Sequence, residues 1–339
     1  MSELFEAPTD LSRLLKDLPQ LDREAQARAL RRQGRLTKPP GSLGRLEEIA
    51  VFLAGWQGDS IRATRIQVTL FAGNHGVTKQ GVSPYPPEVT AQMVANFQVG
   101  GAAISTLAKE FALSLSVFPL SLDRPTGDIS TADAMSDEET LAALNVGAGA
   151  VDADSDILVV GEMGIGNTTV AAALCASALG GRGAEWTGAG TGLDAAGIAH
   201  KAEIVDRALA RQGAAPGDAF TRLQRLGGRE LAAMAGAVCA ARLRRIPVVL
   251  DGFVACAAMA PLFTQEAAIL DHCLAGHRSA ERGHTRLLQA FKLDPILDLG
   301  MRLGEGSGAA VATAVIRAAV ATHTRMATFE SAGVSDREA

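Results

Sequence analysis

The sequence predicts an α/β protein: an open parallel sheet with helices on both faces, and a small helical unit drawn from the two ends of the chain. Three observations carry this. From Ile66 onward, short apolar runs alternate with longer helical stretches, the texture of repeated strand–helix–strand units. The runs are nearly continuous in apolar residues, as strands covered on both faces are. Glycine clusters follow several of them, and open α/β sheets bind ligands at the carboxyl ends of their strands.

The elements follow in order. Residues 10–33 read as one amphipathic helix, with Leu11, Leu14, Leu15, Leu18 and Leu21 at spacings of three and four. Lys38-Pro39-Pro40-Gly41 ends it, and Ser42 reads as the N-cap of a helix through Trp56. Strands are expected at 66–72, 113–118, 156–160, 246–251 and 272–275, with a sixth near 296–299. Helices are expected at 87–109, 138–151, 167–179, 194–212, 229–244 and 280–291. Residues 306–330 form a last Ala-rich helix. The expected division is a helical unit of residues 1–60 with about 306–339, and an α/β unit of residues 61–305.

Composition narrows the function. At 339 residues the chain can bury a core without disulfide or metal support, and 47% hydrophobic with 20% charged residues is globular, not disordered. A net charge of −5 argues against nucleic acid as the main partner. Cys175, Cys239, Cys256 and Cys273 form no Cys-x-x-Cys pair and read as reduced thiols. The first residues are acidic where a signal peptide is basic, and polar residues and glycines interrupt the charge-free stretch 163–181. The expectation is a soluble cytoplasmic protein with no membrane partner. Thirty-six glycines against 11 Phe, 2 Trp and 1 Tyr favour close backbone approach to a ligand over aromatic stacking.

Three glycine segments stand out. Gly161-Glu162-Met163-Gly164-Ile165-Gly166-Asn167-Thr168-Thr169 feeds a helix N-terminus, which offers amides and a positive dipole end to a phosphate. It lacks the lysine of a Walker A loop and fails Gly-x-Gly-x-x-Gly, so a plain strand-to-helix turn stays open. Gly188-Ala189-Gly190-Thr191-Gly192-Leu193-Asp194 can approach the same anion, with Asp194 as a helix cap. Lys201, in the following helix, matters only if it points at the cleft. Gly304-Glu305-Gly306-Ser307-Gly308 holds one carboxylate between glycines at a helix start. Glu305 reads either as a proton acceptor or as a capping glutamate. His75 lines a cleft or makes a core hydrogen bond. His272, His277 and His284 show no zinc spacing. Arg278 and Ser279 suit a phosphate or sugar, and Arg278–Glu281 suits a helix-surface ion pair.

Taken together, these segments resemble the nicotinate-nucleotide–dimethylbenzimidazole phosphoribosyltransferases. The matching pieces include Leu36-Thr-Lys-Pro-Pro-Gly-Ser-Leu-Gly-Arg-Leu-Glu47, Gly73-Asn-His-Gly-Val77, Gly81-Val-Ser-Pro-Tyr-Pro-Pro-Glu-Val-Thr-Ala-Gln-Met93 and the three glycine segments. Leu250-Asp-Gly-Phe253 and His277-Arg-Ser-Ala-Glu281 complete them, and their shared order over about 270 residues makes the resemblance specific. It implies a Rossmann-like parallel sheet, a homodimer, and transfer of phosphoribose from nicotinate mononucleotide to 5,6-dimethylbenzimidazole, with anomeric inversion, in assembling the lower-ligand nucleotide of cobalamin. Glu305 is implied as the catalytic base, with Glu162 and Lys201 near the reacting groups. The nucleotide is implied at Gly164, Gly166, Asn167, Thr168, Gly190, Thr191, Asp251 and Ser279. The base pocket is implied at Ser83, Tyr85, Gln92, Met163 and Leu303. Two positions depart from the pattern: Asn74 stands in place of aspartate, and Arg282 precedes Gly283 in place of proline.

That chemistry needs a base and no metal, cofactor or covalent nucleophile. Neutral benzimidazole attacks through one ring nitrogen and must lose the proton on the other, whereas nicotinate leaves with a neutral ring nitrogen. Two alternatives share the same residues: a relative with another base or a phenolic acceptor, and a non-catalytic nucleotide-binding regulator.

Overall fold

The structure is a computed structural model describing residues 3–213 and 217–335. Six strands, β1 (Ile66–Ala72), β2 (Ser114–Pro119), β3 (Ile157–Met163), β4 (Val248–Leu250), β5 (Cys273–His277) and β6 (Pro295–Leu297), form one sheet. Every pairing is parallel and the order is β2-β1-β3-β4-β5-β6. The chain therefore reverses its winding between β1 and β3, which opens a crevice at their carboxyl ends.

Alternation along the strands splits the core into two layers. Leu158 and Val160 of β3, with Val248 and Leu250 of β4, face one cluster; Ile157, Val159 and Val249 face the other. The helices in chain order are α1 (Thr9–Lys16), α2 (Arg23–Arg35), α3 (Arg45–Gln57), α4 (Glu88–Gln98), α5 (Ala103–Glu110), α6 (Asp137–Gly149), α7 (Asn167–Leu179) and α8 (Gly183–Trp186). They continue with α9 (Ala195–Gln212), α10 (Ala219–Leu226), α11 (Arg229–Leu243), α12 (Phe253–Gln265), α13 (Arg282–Phe291), α14 (Ser307–Arg325) and α15 (Phe329–Ala332). The first layer is filled from α7, α10, α11 and α12, and the second from α3, α4, α5 and α14. α2 and α14 both pack on α3, while α1 lies against α10 and α12. Residues 1–2 and 336–339, the outer ends of the expected helical unit, lie outside the described residues.

Several expected elements are redrawn. The helix of 10–33 is two, because Pro19 interrupts it and Asp22 caps α2 by accepting from the Ala25 amide at 2.8 Å. Ser42 caps nothing: α3 starts at Arg45, and its entry is held by a buried Lys38–Glu47 ion pair of 2.7 Å. The helix of 87–109 breaks at Gly100-Gly101 into α4 and α5. Helix α12 is absent from the expected elements; it is apolar on every side and carries Pro261, so it shows no helical period. Asp194 does cap α9, accepting from the Gly197 amide at 2.8 Å.

Candidate active site

A cleft of about 430 Å³ opens where the strands end, walled by the segments after β3, β4, β5 and β6, with α4 and residues 190–191 alongside. Its floor begins with Glu162, which ends β3 opposite Phe71 of β1. The chain then turns through Gly164 and Gly166 into α7. Gly166 is left-handed at φ 90°, and the amides of Gly166 and Thr168 find no acceptor among the described residues. Free amides at the positive end of a 13-residue helix suit a phosphate.

This loop is tied to the 188–192 loop by buried polar bonds. Lys201 Nζ donates to Thr168 Oγ1 at 2.6 Å and to the Gly188 carbonyl at 3.5 Å, and the side chain is 1% exposed. Burial pushes its amine down to about 8, against the pull of Glu281. Its charge thus lies behind the loops, not on the cleft wall. The Gly190 amide donates to Glu281 Oε1 at 2.7 Å, and Arg302 Nη1 donates to the Gly190 carbonyl at 3.0 Å. Asn167 donates from its side chain to Glu162.

Glu305 occupies a strained position. It has φ 63° and stands between Gly304 at 89° and Gly306 at 80°, a run of left-handed residues that costs a side-chain-bearing residue roughly 1–2 kcal/mol. The neighbours make room for it. A Cβ on Gly161 would lie 2.7 Å from the Glu305 carbonyl oxygen, and one on Gly304 would collide with Glu162. Glu305 is buried, lines the cleft, and accepts a 3.4 Å bond from the Ile104 amide at the start of α5.

Both glutamates have raised proton affinity. Burial, the Asp251 charge and, more weakly, those of Glu230 and Glu305 push Glu162 up to about 8, against the Asn167 bond. Burial also raises Glu305, with the Ile104 amide opposing and Asp251 adding to the rise. Glu162 therefore holds a proton at neutral pH, and burial holds Glu305 above the usual carboxylate range as well.

Of the residues expected at the site, Glu162, Met163, Gly164, Asn167, Thr168, Gly190, Thr191, Ser279, Tyr85, Leu303 and Glu305 line the cleft. Five do not. Lys201 and Gly166 support the loops from behind, and Ser83 reaches Thr191 Oγ1 at 3.1 Å from outside. Gln92 is exposed on α4, where the next residue, Met93, lines the cleft instead. Asp251 is buried, and its carboxylate accepts from the Gly306 and Ala309 amides.

Sequence reasoning missed Met93, Phe253, His277, Glu281 and Arg302 as lining residues. Met93, Phe253, His277 and Glu281 lie inside the matching segments without a role assigned to them, and Arg302 stands two residues before Gly304, so membership in or adjacency to those segments was the available signal. His75 resolves as a core residue, its Nε2 2.6 Å from buried Glu230 Oε1. Arg278 pairs with Asp298, not with Glu281. Asn74 Nδ2 donates to the Leu122 carbonyl at 2.9 Å. Among the described residues, no group of three or more His, Cys, Asp or Glu is placed to hold a metal, and no helix is long and apolar enough to cross a membrane.

Comparison with known proteins agrees with the geometry. A family model described as phosphoribosyltransferase matches residues 18–334. A nicotinate-nucleotide–dimethylbenzimidazole phosphoribosyltransferase of Novosphingobium aromaticivorans is 59% identical over 323 residues, 95% of this chain and 96% of the relative. One of Roseobacter denitrificans is 53% identical, covering 99% of this chain and all of the relative. The crystal structure of such an enzyme from Thermus thermophilus superposes with a TM-score of 0.87 at 38% identity, over 94% of this chain and 100% of that one.

Proposed function

The chain belongs to the nicotinate-nucleotide–dimethylbenzimidazole phosphoribosyltransferase family, and from that premise we propose how its cleft performs the reaction. Phosphoribose passes from nicotinate mononucleotide to 5,6-dimethylbenzimidazole, giving nicotinate and α-ribazole 5′-phosphate with inversion at the anomeric carbon. The product is the lower-ligand nucleotide of cobalamin. The observation that carries this reading is a buried carboxylate, Glu305, on the wall of a cleft whose floor is a glycine loop opening into α7.

The Thr168 amide at the start of α7 binds the nucleotide phosphate, with Gly166 and the Lys201 charge behind it and Gly164, Asn167, Gly190, Thr191 and Ser279 shaping the pocket. Tyr85, Met93, Met163 and Leu303 supply an apolar slot for a flat bicyclic base. One ring nitrogen of the acceptor attacks C1′ as the bond to nicotinate breaks, and the electron pair of that bond returns to the pyridine nitrogen. Glu305 takes the proton from the acceptor's other nitrogen, a step worth typically ~10²–10⁴-fold. A direct displacement accounts for the inversion.

The same reading takes the protein to be a cytoplasmic homodimer, the compartment on the strength of its composition and thiols and the dimer on that of the family resemblance. It also treats residues 1–60 with about 306–339 as a helical unit, supported by the packing of α2 and α14 on α3 and not by α1, which lies against α10 and α12 of the other unit. The test is a product assay by mass spectrometry, with nicotinate mononucleotide and an equimolar panel of dimethylbenzimidazole, benzimidazole, adenine and a cresol. α-Ribazole 5′-phosphate dominates, with nicotinate released in step. A different dominant product reassigns the acceptor, and no product from folded protein refutes catalysis.

A further inference from the structure

Asp251 follows β4, is 1% exposed, and does not line the cleft. Its Oδ2 accepts from the Gly306 amide at 3.2 Å and its Oδ1 from the Ala309 amide at 2.9 Å. Gly306 is the residue directly after Glu305, and Ala309 lies in the first turn of α14. On the other side, the Glu305 amide donates to the Glu162 carbonyl at 3.3 Å, and the Ser307 amide and hydroxyl both donate to the Gly304 carbonyl. The left-handed run 304–306 is therefore held from both sides, and Asp251 supplies the only side-chain carboxylate, among the described residues, that accepts from its amides.

The fold also sets a buried imidazole beside Asp251, at charge-pair distance without a hydrogen bond. His277 Nε2 approaches Oδ1 at 3.5 Å; the imidazole is buried, and neither ring nitrogen has a hydrogen-bond partner among the described residues. Gly308 and Gly252 leave room for the ring: a Cβ on Gly308 would collide with it, and one on Gly252 would stand 3.3 Å from Nε2. A carboxylate that bound ribose would turn an oxygen to the cleft. This one faces the amides of Gly306, Gly308 and Ala309 and an imidazole.

We propose that Asp251, backed by His277, is a positioning residue for Glu305, fixing the backbone that carries the base and making no contact with the nucleotide. This rests on the proposed function for the role of Glu305, although the clamp is readable without turnover. Asp251→Asn keeps the shape but sets an amide N–H against one of these backbone N–H groups.

Hydrogen exchange on the variant is expected to lose protection in the 304–309 segment and nowhere else. Its kcat falls on the order of 10²-fold, as a base displaced by an ångström would give. Its KM and Kd for nicotinate mononucleotide stay within about twofold. The acid limb of the kcat profile moves to lower pH, because the Asp251 charge that helps to raise Glu305, and Glu162 beside it, is gone. A rise in nucleotide KM and Kd of about tenfold or more, with kcat little changed, overturns the proposal and makes Asp251 a ligand contact. Unchanged exchange at 304–309 overturns it as well. If the Asn variant does not fold, Asp251→Ser, smaller and still an acceptor, is read in the same way; failure of both makes Asp251 a fold residue and refutes the assignment. A wild-type protein without turnover refutes the proposed function, while the exchange result still decides the clamp.

Discussion

Thr168, Gly190 and Glu281 are locked together on the wall proposed for the nucleotide by Lys201 and by a buried amide–carboxylate bond, whereas Tyr85 and Leu303, on the wall proposed for the acceptor, stand 51% and 58% exposed. The first wall is polar, buried and cross-tied before any ligand arrives. The second is apolar and open, with Ser83 and Thr191 linking it to the first. The difference follows from what each side recognises. A phosphate needs donors held at fixed distances in a dry site, and fixing them in advance avoids an ordering cost on binding. A flat aromatic ring needs area more than direction, and apolar side chains can adjust to supply it. Changes on the nucleotide wall should therefore be costly and selective for the donor, and changes on the acceptor wall mild and selective for the acceptor.

The largest effect belongs to the carboxylate between the walls. Glu305→Gln should fold normally, with an unchanged thermal midpoint, and lose ~10²–10⁴-fold in kcat. Near wild-type turnover would move the base to Glu162. Next comes the nucleotide wall. Lys201→Met removes a charge-assisted bond worth ~1.5–3 kcal/mol, so the KM for nicotinate mononucleotide should rise ~10- to 100-fold with the acceptor KM unmoved. In the unaltered protein the same KM should climb as pH passes 8, where Lys201 loses its charge and Glu162 gains one. An equal effect of Lys201→Met on both substrates would dissolve the distinction between the walls.

A stability measurement sharpens it further. Folding raises Glu162 from 4.5 to about 8, so between those values the folded protein binds more protons than the unfolded chain, and stability falls as pH rises. The limit is ~1.4 kcal/mol per pH unit. Glu162→Gln lacks this loss, so its melting-temperature advantage over wild type should widen from pH 5 to 8 and then level. A constant gap would mean that Glu162 is ionised throughout. The smallest effects lie on the acceptor wall. Leu303→Ala should raise the dimethylbenzimidazole KM by roughly two- to tenfold, in line with ~1 kcal/mol of lost apolar contact, and leave the nucleotide KM alone. Gln92→Ala, on the exposed side of α4, should change neither.

Legibility in the sequence follows how local each signal is. All six strands are readable within a few residues: β1, β3, β4 and β5 because a strand buried on both faces is a short apolar run whatever its neighbours do, and the part-buried edge strands β2 and β6 because they keep an apolar run of their own. Segments that exist to bring backbone close to a ligand are readable too, since glycine advertises them: the loops at 164–166, 188–192 and 304–306 all border the cleft. Helix α12 is not readable, because a helix surrounded by core loses the polar face that gives it a period. Met93 is missed for Gln92 by one position, a rotation of about 100° on a helix, which only the packing of α4 sets.

The sequence by itself determined the layered parallel sheet, the places where its loops thin to glycine, and Glu305 as the carboxylate set among them. Tertiary structure decided the rest: that Lys201 points inward to tie two loops, that burial raises the proton affinity of both Glu162 and Glu305, and that Asp251 turns toward the backbone behind Glu305. The reason is physical. Backbone propensity and apolar pattern are properties of neighbours in the chain, whereas side-chain direction, burial and proton affinity depend on groups brought together from strands far apart in sequence.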